Sequence, residues 1–292
     1  SEKDHTLTLI DLKTQAVIGS VPTCKRPRHM ARTADGKALM VACADSGEAD
    51  IIDLATRKSI GKLDIGDDPE AFDLSPDGKT LYVTMEEDAA VGVVDVATGK
   101  MKAQIKVGAE PEGILVSKDG KTVYATSEVA SLVHVIDTAT NKVTKNIKVG
   151  KRPRRFAVTP AGTPLWVTNE LASSATIIDT KDHSIAGTIK FEVKGARATD
   201  ITPVGIAMNA AGTKAFVSLG KANHVAFVDV ASRKVTNLVL AGKRAWGVSL
   251  NKAEDRLLVV NGLSDDMTII DVPGAKPIKT VPVGRVPYGA LI

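Results

Sequence analysis

Residues 73–113 read DLSPDGKTLYVTMEEDAAVGVVDVATGKMKAQIKVGAEPEG, from Asp73 to Gly113. Short apolar runs alternate in period two within this stretch, which is the pattern of half-buried β-strands. Ser75-Pro76-Asp77-Gly78 punctuates the first two runs. Pro presets φ, Asp bonds its own backbone and Gly takes positive φ, so this is a tight turn. Asp95 to Lys100 (DVATGK) turns the third strand into the fourth. The unit ends at Gly108 to Gly113 and leads into another copy of itself.

The copies are evenly spaced. The Asp that closes the third strand recurs at Asp11, Asp53, Asp95, Asp137, Asp179, Asp229 and Asp271, in steps of 42 residues except for one of 50. A Pro precedes the first strand at Pro27, Pro69, Pro111, Pro153, Pro203 and Pro287, with Ala245 in the remaining slot. A four-strand unit of about 40–45 residues repeated in tandem predicts a β-propeller. The expected fold is all-β: one domain over residues 1–292, a single seven-bladed propeller of four-stranded antiparallel blades. Complete blades begin near Arg28, Glu70, Glu112, Arg154, Val204 and Trp246. The seventh is expected from both termini, with strands at His5–Asp11 and Ala16–Val21 joined by Tyr288–Ile292, which closes the ring. The eight-residue excess falls within Phe191–Thr202 (FEVKGARATDIT).

LYVT at Leu81–Thr84, LWVTN at Leu165–Asn169 and LVVN at Leu258–Asn261 follow SPDG-like turns. In these motifs the chain resembles the YVTN-repeat propellers over essentially its whole length. With seven copies ending in GRVPYG it is most similar to the group associated with PQQ-dependent alcohol catabolism and encoded beside an ABC transporter. That resemblance implies an exported, periplasmic protein whose partners are transporter components or a PQQ-dependent dehydrogenase. Such dehydrogenases hold calcium or a lanthanide beside the quinone. Ser1 aligns with the Asn of the YVTN motif, which places a strand upstream of it and predicts a longer natural chain with a removed export signal.

Aromatic residues are only 3% of the chain, so the packing between blades falls to Val, Ile, Leu and Ala. The net charge of +4 is mild and its basic residues are not interleaved with aromatic platforms, which argues against nucleic-acid binding. No run is long and apolar enough to insert in a membrane. Cys24 and Cys43 fall at the same end of the first complete blade, and two readings stand: small buried residues, or a disulfide. There is no CxxCH motif for covalent haem.

Strand direction sorts the loops. The inner strand leaves the Pro and the second returns to it. The loop after YVTN therefore shares an end with the Pro loop, and the SPDG and DVATGK turns share the other. On the first end, residues just before and after the Pro read Arg26 and Arg28, Asp68 and Glu70, Glu110 and Glu112, then Arg152 and Arg154. The loops after the second strands add Glu86, Glu128 and Glu170. Glu2 and Asp45 lie on neighbouring loops. Six carboxylates, Asp68, Glu70, Glu86, Glu110, Glu112 and Glu128, are thus expected to converge. Close like charges repel, and a hard cation relieves them. Calcium takes six to eight oxygens at about 2.3–2.6 Å, and a trivalent lanthanide has similar ligand taste. Magnesium, with its strict octahedron, fits less well. The competing expectation is a rim of ion pairs with the flanking arginines that serves as a protein-docking scaffold.

The same arginines suggest a second site. Arg28, Arg154 and Trp246, with Arg26, Arg152, Arg155, Arg244 and Tyr288 nearby, suit a planar polyanion such as PQQ. A metal-dependent lactonase, an activity found on this architecture, is the enzymatic alternative to a non-catalytic protein. No Ser-His-Asp or Cys-His set emerges from spacing. His134 and His224 fall in third strands and read as packing residues, and His29 is the one histidine near the carboxylates. The repeated Asp before each turn reads as a cap.

Overall fold

The computed structural model describes every residue from Ser1 to Ile292. The chain is an all-β propeller with six four-stranded antiparallel blades. The inner strands are Pro27–Arg32, Pro69–Leu74, Pro111–Val116, Pro153–Val158, Ile206–Met208 and Ala245–Leu250. Their hydrogen-bonded neighbours are Ala38–Cys43, Thr80–Met85, Thr122–Ser127, Leu165–Asn169, Lys214–Ser218 and Arg256–Asn261. Two further strands complete each blade as a simple meander.

The seventh blade is not formed. Thr6–Asp11 and Ala16–Pro22 make a sheet of two strands only, and residues 288–292 are not a strand. The expectation of seven blades closed by both termini is corrected to six. Tyr288–Ile292 could join that sheet only through a second strand, and none lies within residues 1–292. Tyr288, Ala290 and Ile292 instead pack with Ile10, Leu12, Trp246, Leu258 and Met267 in an apolar cluster.

The chain divides into two compact units, Ser1–Leu7 with Ser20–Val149, and Thr8–Gly19 with Gly150–Ile292. The first holds three blades. Met40, Phe72, Leu81, Val83 and Met85 fill the space between its first two, each almost wholly buried. Burying a Leu, Val or Phe side chain contributes about 1.5–3 kcal/mol, so this interface is a main source of stability. Cys24 and Cys43 form a disulfide in this unit, with Cα atoms 5.7 Å apart, which settles the sequence alternatives in favour of the bridge. The second unit holds the other three blades. Its largest cluster contains Trp166, Ile177, Val217 and Ala226 together with Phe191, Val193 and Ile201. The latter three lie in the segment 191–202 that contains the eight-residue excess, so that segment is folded into the core.

A bulge interrupts each of five inner strands just after its first residue, for example between Pro69 and Ala71 and between Pro153 and Phe156. A bulge leaves backbone groups without ladder partners. In the second, third and fourth blades a hydroxyl on the second strand satisfies one of them. Thr84 Oγ1 accepts the Ala71 N–H at 3.1 Å and donates to the Glu112 carbonyl of the next blade at 3.0 Å. Thr168 does the same between Arg155 N–H and the Val204 carbonyl, at 3.1 and 2.7 Å. Ser218 joins Gly205 to Trp246 in the same way. The hydroxyl thus fixes both its own strand and the first side chain of its neighbour.

The turn residues behave as their chemistry dictates. Asp53, Asp95, Asp137 and Asp229 each accept the N–H of the third residue after them, at 2.7–2.9 Å. Gly36, Gly78 and Gly120 hold φ of 69–70° in the SPDG-like turns.

Candidate functional site

In the second blade, Asp68 sits with φ of 43° immediately before Pro69. Its carbonyl accepts the N–H of Glu86 at 3.1 Å, which ties the Pro loop to the loop after the second strand. The next blades repeat this bond, Glu128 to Glu110 at 3.0 Å and Glu170 to Arg152 at 2.8 Å. Arg26, Glu110, Arg152 and Arg244 also hold positive φ at this slot. A left-handed non-glycine residue is costly and is often a sign of a functional site. Here it recurs whatever the side chain, so it belongs to the architecture of the repeat.

This bond gathers carboxylates. One oxygen from each of Asp68, Glu70 and Glu86 lies within 4.8 Å of the others. Ligands on a single ion with metal–oxygen bonds of about 2.3–2.6 Å are at most about 4.6–5.2 Å apart, so three oxygens at this spacing fit one hard cation. Glu70 is 1% exposed, and Asp68 and Glu86 are half-buried. Of the six carboxylates expected together, these three form the cluster. Glu110, Glu112 and Glu128 occupy the equivalent slots of the third blade, outside that cluster, with Glu112 and Glu128 buried.

Two arginines reach the same carboxylates. Arg28 Nη2 lies 3.0 Å from Glu70 Oε1, and its Nε lies 3.0 Å from Glu2 Oε1. Arg26 Nη1 lies 3.2 Å from Asp68 and 3.4 Å from Asp45. Four carboxylates, of Glu2, Asp45, Asp68 and Glu70, therefore meet two guanidinium groups, with the Glu86 carboxylate beside them. The ion-pair rim is real, and it leaves an excess of negative charge. Arg28, assigned to an anion site from the sequence, is held by Glu70 and Glu2. Spacing placed Glu2 on a neighbouring loop but did not pair it with Arg28. The His29 ring meets Phe72 edge-on at 4.9 Å.

Arg154 and Trp246, the other two residues assigned to the anion site, do come together in the second unit. The Arg154 guanidinium carbon lies 5.0 Å from the Trp246 ring centroid and that of Arg244 lies 4.0 Å from it. Arg154 is also 3.6 Å from Glu170, which pairs more closely with Arg152 at 3.1 Å. Arg155 donates to the Tyr288 hydroxyl at 2.5 Å.

Other polar residues have structural roles. Asn169 and Asn261 donate to side chains of the third strand, Asn169 to Ser174 and Thr176 and Asn261 to Asp266 and Thr268. Asp73 accepts the Val116 N–H of the next blade at 2.8 Å, and burial pushes its carboxyl above the usual range. His134 accepts the Gly108 N–H on Nε2 at 3.0 Å and pairs through Nδ1 with Asn146 at 2.7 Å. Burial lowers its pKa, against the opposing effect of the Asn146 bond. No helix is long and apolar enough to cross a membrane.

The family model described as the choice-of-anchor I domain matches residues 103–257, and that of the cytochrome D1 heme domain matches residues 39–157. No curated protein matches the chain. Among solved structures, Kuenenia stuttgartiensis hydrazine synthase is similar with a TM-score of 0.82 at 24% identity, over 92% of this chain and 90% of that one. A functionally unknown protein from Desulfotomaculum acetoxidans gives 0.81 at 15% identity, over 99% and 96%. The dihydro-heme d1 dehydrogenase NirN, solved in complex with DHE, gives 0.72 at 15% identity, over 97% and 72%. At these identities the structural likeness carries the fold alone.

Proposed function

The chain belongs to the choice-of-anchor I domain family, and we propose that it is an exported, non-catalytic propeller protein that binds a hard cation, calcium or a trivalent lanthanide, at Asp68, Glu70 and Glu86. The observation that carries this reading is the placing of three carboxylate oxygens within 4.8 Å of one another. The donor set is all oxygen, which suits a hard ion and offers nothing to a soft one. Greater charge on the ion better offsets the excess of carboxylates, which favours a lanthanide over calcium at equal size. The buried disulfide supports an oxidising compartment such as the periplasm. The resemblance of its YVT motifs to propellers of PQQ-dependent alcohol oxidation supports a role beside such a dehydrogenase or its ABC transporter.

The second reading is a protein-docking rim with no ion. The pairing of Arg26 and Arg28 with the same carboxylates favours it. Thermal unfolding of chelator-stripped protein with lanthanum, calcium and magnesium added separately decides between them. A ligand bound only by the native state at a hundredfold excess over Kd stabilises by about 2.7 kcal/mol. A rise in Tm with lanthanum or calcium that is absent in Glu70→Gln/Glu86→Gln supports the cation site. No rise with any ion overturns it in favour of the docking rim.

A further inference from the structure

Trp246 is 5% exposed, and its indole Nε1–H is buried with no hydrogen-bond acceptor. A buried donor in this condition is uncommon, and each instance calls for an explanation. The ring is covered by two guanidinium groups, those of Arg244 and Arg154, at 4.0 and 5.0 Å from its centroid. The two groups are therefore no more than about 9 Å apart. Arg244 is half-buried and has no carboxylate within ion-pair distance; its backbone N–H is taken by Asn223. A guanidinium over an aromatic face keeps its N–H edge free for a carboxylate. The entry to one inner strand thus presents a cation without an anion, at Arg244, two residues before a donor without an acceptor, at Trp246.

We propose that Arg244, Trp246 and Arg154 form a binding site for a small organic polycarboxylate. One carboxylate takes the N–H edge of Arg244 and, as that side chain shifts with its new partner, the indole N–H. A second carboxylate a few bonds away joins Glu170 at the Arg154 guanidinium. The two guanidinium groups lie no more than about 9 Å apart around one ring, and a ligand with two or more carboxylates engages both at once. None of these side chains belongs to the acidic cluster of the second blade, so this site stands whether or not that cluster takes a cation.

The test is isothermal titration of the metal-stripped, full chain with tricarballylate, and with sulfate as a compact anion. Three variants run beside it: Arg244→Gln, Trp246→Phe, and Arg57→Gln as a remote loss of one positive charge. Tricarballylate is expected to bind and sulfate to bind at least tenfold more weakly. Arg244→Gln is expected to weaken tricarballylate about tenfold or more, the effect of losing a charge-assisted hydrogen bond. Trp246→Phe keeps a ring under both arginines and is expected to weaken it about fivefold, while Arg57→Gln leaves it unchanged. Absence of tricarballylate binding overturns the proposal. So does equal affinity for sulfate, or equal loss in Arg57→Gln, either of which reduces the effect to net charge. Arg244 has a half-buried loop side chain, so its variant keeps the test intact if the tryptophan variant folds poorly.

Discussion

Glu86 donates its backbone N–H to the carbonyl of Asp68 at 3.1 Å, so two carboxylates 18 positions apart in sequence are fastened at their main chains. Glu70, two residues beyond Asp68, is carried in by the same loop. The acidic cluster is therefore preorganised, and closing it around a cation requires side-chain motion alone. What competes with a cation is the pair of arginines, Arg28 at Glu70 and Arg26 at Asp68, not the backbone.

Arg28→Gln separates the two readings of the cluster. The side chain is 11% exposed and its partner Glu70 is 1% exposed, so the substitution leaves a buried carboxylate without its closest cation. The loss of one partner of such a pair is expected to cost about 3 kcal/mol in the ion-free protein. If the cluster binds a cation, added lanthanum restores that stability and binds roughly tenfold more tightly than to wild type, about 1.4 kcal/mol. Denaturant melts with and without lanthanum measure both numbers. A destabilised variant that does not respond to lanthanum identifies the cluster as an ion-pair rim.

Thr84→Val tests the hydroxyl device in the blades. The change keeps shape and removes the group that satisfies the Ala71 N–H and reaches the Glu112 carbonyl. Both residues are fully or nearly buried, so water cannot substitute. The expected cost is about 2 kcal/mol, read as a shift in urea midpoint with unchanged slope.

His134 predicts a pH dependence with a definite sign. Its Nε2 accepts the Gly108 N–H, so the folded protein needs the ring neutral with the proton on Nδ1. Its folded pKa is below the ordinary 6.5, chiefly through burial. The unfolded chain thus takes up a proton at a higher pH than the folded one. The stabilisation is whole above pH 6.5 and is lost as pH falls below it through the depressed folded value. The limiting slope is about 1.4 kcal/mol per pH unit. Melts of wild type and His134→Leu across this range are expected to differ in slope, with the step absent in the variant.

The blades were legible because their signals are local. The capping Asp, the Gly of each SPDG-like turn and the apolar runs such as LYVT act over a few residues and recur at fixed intervals, and the structure places the turns and strands there, although the LYVT strand is buried on both faces rather than one. The seventh blade was misread because a strand is defined by its neighbour. Tyr288–Ile292 has the sequence of an inner strand and no partner edge to pair with. The charged end was legible in part. Repeat slots named Asp68, Glu70 and Glu86, and also Arg154 beside Trp246. They could not say that Arg28 turns to Glu70 and Glu2, since that depends on side-chain reach. Nor did they assign a role to Thr84, Thr168 and Ser218, although a hydroxyl recurring at one slot of the second strand was the available signal.

The repeated bond between the Pro loop and its neighbour loop has a broader consequence. At slots 68, 70 and 86 the chain carries Asp, Glu and Glu; at 110, 112 and 128, Glu, Glu and Glu; at 152, 154 and 170, Arg, Arg and Glu. Across these three addresses the joining bond stays between 2.8 and 3.1 Å. The main chain is indifferent to the sign of the charge it displays. The same backbone frame thus carries an acidic pair of loops in one blade and a basic one in another, and the charge pattern of this end is written by side chains alone, blade by blade.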